Sequence, residues 1–521
     1  MKQVGVFLPK KAGVPLQEVE PFLVARGIVA PFEADLSRGP DELRDLIVRF
    51  GLEAAVLVEA GEPDLLQPFS EALERAGIAP YALEVVSLPS VPLGREAAEQ
   101  AKLLIFAAVE RLRSQGKVGP DHLKPSFLPK EGAIRRRDLL FGLLRPHYEV
   151  VPAVEAGACT AWKGCALCVA SCPQGAITLR EGAASIEKAK CTACLACLPA
   201  CPLGVIRSPS LSPEAMDAQL RALLLRDGVL LEPRVILFSS EDGRSALRGV
   251  KASLPPQLLE VKLPCIGALS AWLLFRGFDL GADGVVVLPC GPGCRHRCDP
   301  EGWRQTFRFV QALLVKIGIE AGRLQTFPAL DGESPGLVAG LQGFVREVKA
   351  MGPPILRGQA VDGPRLDFID LLRDLSRRFH LDKMAPLTGE EVPFGVVEVV
   401  GRCTLCGACP DRCPTGALVM HEGSEASKFT FDHARCVACE ACVKVCPEKV
   451  LRLERALDFA RLTAPSVLAE DRMVRCRRCR KVIAPQGMVK KVQHLLTPHP
   501  LDLEVCPSCR LLGTLDRWGP P

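Results

Sequence analysis

The chain has 521 residues, and its 65 Lys and Arg against 60 Asp and Glu leave a net charge of +5 and a pI near 8.3, a balance that does not by itself point to nucleic acid. This length exceeds one hydrophobic core and predicts roughly three to five units. Its 24 cysteines read as reduced thiols in a cytoplasmic setting rather than as a secreted disulfide scaffold, because Met1 to Lys10 lacks the apolar stretch and cleavage site of a signal peptide, and the longest apolar runs, Leu103 to Val109 and Val285 to Leu288, fall short of a membrane span.

Residues 1–118 contain no cysteine and read as a small α/β domain. Val4 to Leu8 and Ala54 to Val58 are expected as strands, and Leu43 to Phe50, Leu65 to Arg75 and Arg95 to Arg113 as helices. A linker with Pro, Gly and Lys, Gly116 to Gly132, leads to Arg135-Arg136-Arg137. That triplet resembles a twin-arginine export signal, but it lies well inside the chain and is read as the charged start of a helix. Residues 133–210 form a cysteine-dense block that 395–455 repeat: Cys172-Pro173-Gln174-Gly175-Ala176-Ile177 matches Cys413-Pro414-Thr415-Gly416-Ala417-Leu418. Between the copies, 230–350 is a second α/β unit. Its expected strands are Val235 to Phe238, Leu258 to Leu263, Gly284 to Leu288 and Leu324 to Phe327; its expected helices are Ala268 to Arg276, Gly302 to Ile317 and Ser334 to Lys349. The connector Gly352 to Gly363 and an amphipathic helix, Leu366 to Phe379, precede the second copy, and 470–515 form a C-terminal unit.

Every cysteine falls into a group with metal-ligand spacing. In C-x2-C-x2-C-x3-C-P, three close thiolates wrap one face of a cubane and the fourth ligates the neighbouring cluster. The second block therefore assigns Cys403, Cys406, Cys409 and Cys446 to one 4Fe-4S cluster, and Cys436, Cys439, Cys442 and Cys413 to another. The first block assigns Cys191, Cys194, Cys197 and Cys172 to one cluster, and Cys159, Cys165, Cys168 and Cys201 to a fourth. There the Thr160 to Gly164 insertion leaves open a three-iron centre or a non-cysteine ligand in place of Cys159. Zinc is the poorer reading of both blocks, since zinc sites use paired knuckles rather than tandem triplets closed by Cys-Pro. Small residues at Ala193, Ala196, Gly407, Ala408, Ala438 and Ala441 let backbone amides approach the sulfides and also satisfy simple steric fit.

In the central unit Cys265 and Cys290 follow strand-like runs that are expected to be adjacent, and with Cys294 and Cys298 they converge at the carboxyl ends of an open sheet, where such sheets place ligands. His296 is read as a solvent-facing or hydrogen-bonding residue in preference to a ligand; a redox-active dithiol at Cys294 and Cys298 is the alternative to a cluster. At the C-terminus, Cys476, Cys479, Cys506 and Cys509 form two knuckles suited to one structural zinc, with a rubredoxin-like iron as the alternative and His494 and His499 as bystanders. The basic run Arg475 to Lys481 decorates this knuckle, so no nucleic-acid partner is expected. The fold class is multidomain α/β and α+β: two dicluster modules, two small α/β domains and a zinc-ribbon-like knuckle.

On these motifs, each cysteine-dense block resembles a bacterial-type ferredoxin with two 4Fe-4S clusters. The central stretch Gly281-Ala282-Asp283-Gly284-Val285-Val286-Val287-Leu288-Pro289-Cys290, with Lys316-Ile317-Gly318-Ile319-Glu320, resembles the delta subunit of methyl-viologen-reducing hydrogenase. That resemblance implies one 2Fe-2S centre, although the family usually has further cysteines where this chain reads Phe238-Ser239-Ser240-Glu241-Asp242. Gly77-Ile78-Ala79-Pro80-Tyr81, Arg95-Glu96 and the helix Ala101 to Arg113 resemble the amino-terminal part of the flavin-bearing subunit of heterodisulfide reductase, where this region leads to a flavin domain. Here no G-x-G-x-x-G follows a strand, and Gly336, Gly340 and Gly343 belong to a helical pattern, so FAD is expected on a partner subunit and not on this chain.

Together these features predict an electron-transfer subunit, not an independent catalyst. Its expected partners are a hydrogenase or dehydrogenase and a flavin-containing heterodisulfide reductase-like or quinone-interacting reductase, with docking to a membrane complex left open. The alternative is a reductase of a disulfide or small substrate at the central cysteines.

Overall fold

The structure is a computed structural model and describes residues 2–9, 16–28, 32–34, 40–60, 73, 76, 78, 82–88, 94–116, 118–126, 147–240, 247, 253–290, 294–297, 300–328, 335–357, 367–496 and 502–515. The chain divides into two compact units, Met1–Cys159 with Ala166–Arg180 and Ala184–Phe368, and Thr160–Cys165 with Glu181–Ala183 and Ile369–Pro521. Cys298, the Arg135–Arg137 triplet and most of Leu65 to Arg75 lie outside the described residues.

The first unit opens with a parallel sheet in the order Phe32–Ala34, Val4–Pro9, Ala54–Ala60, Leu83–Leu88. Val6, Phe7, Ala55, Val56 and Val58 are wholly buried, the continuous apolar run of a parallel strand covered on both faces. The two central strands are legible as apolar runs; the short edge strand Phe32–Ala34 is not. Arg95–Ser114 is the expected long helix, burying Ala101, Leu103, Ile105 and Val109. It packs against Pro213–Leu224, a helix absent from the expected elements. That helix starts where Ser212 accepts the Ala215 N–H at 3.2 Å and Pro213 occupies the first turn.

The central sheet is also parallel, in the order Leu258–Leu263, Val235–Ser240, Gly284–Leu288, Leu324–Thr326. The strands leading to Cys265 and Cys290 are therefore not adjacent: both flank Val235–Ser240. Crossover connections of parallel strands permit this, and local sequence pattern carries no signal for it. Its consequence is that Ser240 ends the strand lying between the two cysteines.

The expected helix from Ala268 instead begins as a tight turn, Ile266–Ala268, followed by Ala271–Asp279, where Ser270 accepts the Leu273 N–H at 3.1 Å. Helices Pro300–Lys316, Pro335–Met351 and Phe368–Phe379 lie within two residues of their expected bounds.

An ion cluster locks helix Ala271–Asp279 to helix Pro213–Leu224. Arg276 is fully buried; its Nε donates to Asp217 Oδ1 at 2.7 Å and its Nη1 pairs with Asp279. Arg221 closes the cluster through Asp217 Oδ2 at 2.7 Å.

In the second unit Gly395–Val399 and Leu387–Thr388 flank Leu451–Leu457 in an antiparallel sheet. A second sheet runs Leu418–Glu422, Ala426–Phe431, Ser466–Arg475, Val482–Pro485. Strand Ser466–Arg475 leads directly into Cys476, so the C-terminal cysteines grow from this sheet. Among the described residues no helix is long and apolar enough to cross a membrane.

Breaking a buried ion pair on one side leaves a stranded charge. Asp217→Ala is expected to destabilise the first unit by about 3 kcal/mol, read as a lower urea midpoint with an unchanged m-value.

Candidate metal centres

Three of the four tandem triplets share one backbone device. Between their cysteines the chain turns left-handed twice: at Ala193 and Leu195 (φ 55° and 62°), at Leu405 and Gly407 (φ 55° and 79°), and at Ala438 and Glu440 (φ 49° and 60°). A left-handed non-glycine residue costs roughly 1–2 kcal/mol, and five of these six residues are not glycine. Backbone alternating between right- and left-handed conformations turns successive N–H groups toward one concavity, which is an anion site. Ala193, Gly407 and Ala438 thus do more than make room.

The closing Cys-Pro segments repeat as strictly. Gly175, Gly204, Gly416 and Lys449 are all left-handed, and each donates its N–H to the carbonyl of the cysteine three residues back, at 3.1, 3.1, 3.4 and 3.2 Å. At two of them the next free amide reaches sulfur: Ala176 N–H to Cys172 Sγ at 3.3 Å and Ala417 N–H to Cys413 Sγ at 3.2 Å.

These turns bring distant cysteines to common cavities. Cys403, Cys406, Cys409 and Cys446 line one; Cys413, Cys436, Cys439 and Cys442 line a second; Cys172, Cys191, Cys194 and Cys197 line a third. In each, the last cysteine comes from the opposite motif, as interlocked clusters require.

The remaining set has a different local geometry. Cys159, Cys168 and Cys201 share one apolar cluster, and Cys159 Sγ accepts the Ala184 N–H at 3.4 Å. Cys165 is partly buried and follows the turn Ala161–Lys163 and a left-handed Gly164 (φ 90°); it lies in the short segment grouped with the second unit.

At the central sheet the sulfur atoms of Cys265, Cys290 and Cys294 lie within 4.8 Å of one another. Gly267 N–H points at Cys265 Sγ at 3.3 Å, and Ser240 Oγ lies 3.0 Å from Cys290 Sγ. The thiol donates in that bond; as a thiolate Cys290 would accept from the hydroxyl. His296 is 2 % exposed. Its Nε2 accepts from Arg295 Nε at 3.2 Å, so Nδ1 carries the proton and donates to Thr192 Oγ1 at 3.0 Å. Both ring nitrogens are occupied by side chains.

The C-terminal thiols of Cys476, Cys479, Cys506 and Cys509 lie within 4.8 Å of one another, a closed set of soft donors that fits one tetrahedral ion. Backbone N–H groups of Cys479 and Cys506 pull the Cys476 thiol down to about 6, while the hydrogen bonds that the Cys509 thiol donates to the sulfurs of Cys479 and Cys506 push it up to about 12.

In the dicluster domains burial is the main influence. It pushes Cys197, Cys409 and Cys442 up to about 12 and Cys436 to about 11, with neighbouring cysteines adding to the rise. The Cys290 thiol rises further, first through its bond with Cys265 and then through burial. Such groups stay protonated at neutral pH unless a metal takes the proton's place, so metal binding must release protons.

Residues 240–352 match the family of the methyl-viologen-reducing hydrogenase delta subunit, and residues 158–205 and 402–450 each match the 4Fe-4S dicluster domain. The chain carries one delta-subunit segment and two dicluster domains. It is 26% identical over 133 residues to the iron-sulfur subunit of the vhc F420-non-reducing hydrogenase of Methanococcus voltae, covering 24% of this chain and 91% of the relative. To the corresponding vhu iron-sulfur subunit of Methanocaldococcus jannaschii it is 27% identical over 134 residues, covering 25% of this chain and all of the relative. To the F420-non-reducing hydrogenase iron-sulfur subunit of Archaeoglobus profundus it is 26% identical over 105 residues, or 20% of this chain and 77% of the relative. The dicluster matches imply 4Fe-4S clusters.

Two supports of the second dicluster domain were not expected from the sequence. A Cβ at Gly395 would meet Cys436 Sγ at 3.0 Å and Leu453 at 3.2 Å, so this strand glycine lets the backbone approach the sulfur. A glycine inside a strand pattern is the signal that could have found it. His433, almost fully buried, accepts the Asp458 N–H on Nε2 at 3.0 Å and donates Nδ1–H to the Gly395 carbonyl at 2.9 Å.

Gly395→Ala is expected to cost the cavity at Cys436 its cluster, lowering iron by about four atoms per chain while the other dicluster domain keeps its iron. Burial also holds the His433 imidazole below its ordinary value of 6.5. The unfolded chain then takes up a proton that the folded chain refuses. The stabilising contribution is present above about pH 6.5 and is lost as pH falls through the depressed value. Urea midpoints of the second unit at pH 7.5 and 5.5 should show this loss, and His433→Gln should reduce it.

Proposed function

We propose that this chain is the iron-sulfur electron-transfer subunit of a hydrogenase-related redox complex. It would pass electrons between a partner hydrogenase or dehydrogenase and a heterodisulfide reductase-like or quinone-interacting reductase. The observation that carries the reading is the crossing of ligands: three cavities are each lined by three cysteines of one motif and the closing cysteine of the other.

Cys403, Cys406, Cys409 and Cys446 would hold one 4Fe-4S cluster, Cys413, Cys436, Cys439 and Cys442 a second, and Cys172, Cys191, Cys194 and Cys197 a third. Cys159, Cys165, Cys168 and Cys201 would hold a fourth. Cys265, Cys290, Cys294 and Cys298 would hold a 2Fe-2S centre, and Cys476, Cys479, Cys506 and Cys509 a structural zinc. The proposed domains are 1–118, 133–210, 230–350, 395–455 and 470–515. When bound, such clusters supply reversible one-electron chemistry with potentials set by burial and hydrogen bonds to sulfur. The amides of Ala176, Ala417, Leu405 and Ala184, each within 3.4 Å of a cysteine sulfur, would stabilise the more negative, reduced state of a bound cluster.

The relatives support a hydrogenase-type partner, since each is the iron-sulfur subunit of a hydrogenase. The resemblance of the N-terminal domain to the flavin-bearing subunit of heterodisulfide reductase supports the other side, with FAD on that partner. A cytoplasmic site of action belongs to the same reading.

Metal and sulfide analysis of the anaerobically purified chain tests it. Roughly 18 iron and one zinc are expected. Iron near 16 would remove the central centre, and iron near 19 without zinc would convert the C-terminal site. A chain free of iron and labile sulfide would overturn the reading, and turnover of a small disulfide by the isolated chain would favour a reductase.

A further inference from the structure

The central thiols and one cavity of the first dicluster domain meet at three points, all within the first unit. His296, two residues beyond Cys294, donates Nδ1–H to Thr192 Oγ1 at 3.0 Å, and Thr192 is the residue after Cys191. The His296 carbonyl accepts from Gln174 Nε2 at 2.9 Å, and Gln174 is two residues beyond Cys172. The turn Ile266–Ala268, which directly follows Cys265, lies against the helix Cys197–Ala200, which starts at another cysteine of the same cavity. Gln174 and Thr192 are themselves walls of the cavity lined by Cys172, Cys191, Cys194 and Cys197.

This pattern is hard to explain as ordinary domain packing. A buried histidine held by side chains on both ring nitrogens costs its desolvation and is kept only where its partners are fixed. Here one partner adjoins a cysteine of the cavity and the other adjoins a cysteine of the central site. Side chains locked by packing and hydrogen bonds are how a protein holds two centres in a defined relation.

The geometry points to His296 as a positioning residue. It latches the central thiolate site onto the Cys172, Cys191, Cys194 and Cys197 site, making that cluster the direct exchange partner of the central centre. The inference rests on the electron-transfer reading given above. In the exchange one centre is oxidised by one electron and the other reduced by one; no bond breaks and no proton moves, because His296 keeps both its hydrogen bonds. The first electron comes from an external low-potential reductant.

The test uses the full chain with its clusters, poised anaerobically with titanium(III) citrate and studied by pulsed electron paramagnetic resonance. The spin relaxation of the central centre should quicken severalfold when the neighbouring cluster becomes paramagnetic. His296→Leu should reduce that enhancement severalfold and His296→Gln, which can still donate to Thr192, should restore part of it. Thr192→Val keeps the ring, removes only its acceptor, and should act in the same direction as His296→Leu. Should His296→Leu lose iron, the Thr192→Val chain provides the reading. Relaxation in the parent chain that ignores the state of the cluster would overturn the inference, as would variants with full iron and unchanged enhancement. Absence of iron in the parent chain is a different failure, that of the electron-transfer reading itself.

Discussion

Sulfur drawn out of water in groups is the constraint on which the rest of this structure depends. A buried thiol resists ionisation, and a second thiolate beside it makes ionisation harder still; Cys197, Cys409 and Cys442 are each driven to about 12 in this way. Left to itself, such a cavity would hold only neutral, weakly interacting sulfhydryls. A cationic metal core removes the penalty, because it replaces the protons and satisfies the thiolates together. The surrounding backbone is built for that state: amides aim at Cys172, Cys413, Cys159 and Cys265 sulfur, and paired left-handed residues open concave amide faces between the cysteines.

Much of this was legible in the sequence, for a physical reason. Cysteine spacing is local, so the tandem motifs and the Cys-Pro turns announced both dicluster domains, and the spacing also pointed to cysteines of opposite motifs meeting, as they do in three cavities. Apolar runs such as Val285 to Leu288 marked parallel strands because strands buried on both faces have no polar alternation to confuse the reading. Strand order was another matter. Nothing in Leu258 to Leu263 says that Val235–Ser240 will lie between it and Gly284–Leu288, so the place of Ser240 beside Cys290 was not visible. Gly395 and His433 carry no local signal of their roles because those roles are tertiary: one is defined by a sulfur 41 positions away in sequence, the other by the same strand's carbonyl. Helix Pro213–Leu224 carries an ordinary start signal in Ser212-Pro213, a serine cap followed by proline in the first turn.

The delta-subunit segment of the relatives is here joined in one chain to dicluster domains. Fusion turns what would be a contact between separate chains into an internal one, where a short hydrogen-bonded seam suffices because the polypeptide already supplies proximity. The seam at His296, Thr192 and Gln174 has that character: few groups, all polar, each one or two residues from a cysteine. The closed set at Cys476, Cys479, Cys506 and Cys509 grows instead from the end of strand Ser466–Arg475.

Redox centres held in these cavities would make the chain a conductor. Anaerobic reductive titration of the purified chain, followed by optical bleaching and electron paramagnetic resonance, tests it most directly. Uptake of about five electrons per chain, one for each centre, is expected, with paramagnetic signals growing as the colour fades. A chain with every cysteine group occupied by zinc, taking up no electrons and giving no signal, would contradict it.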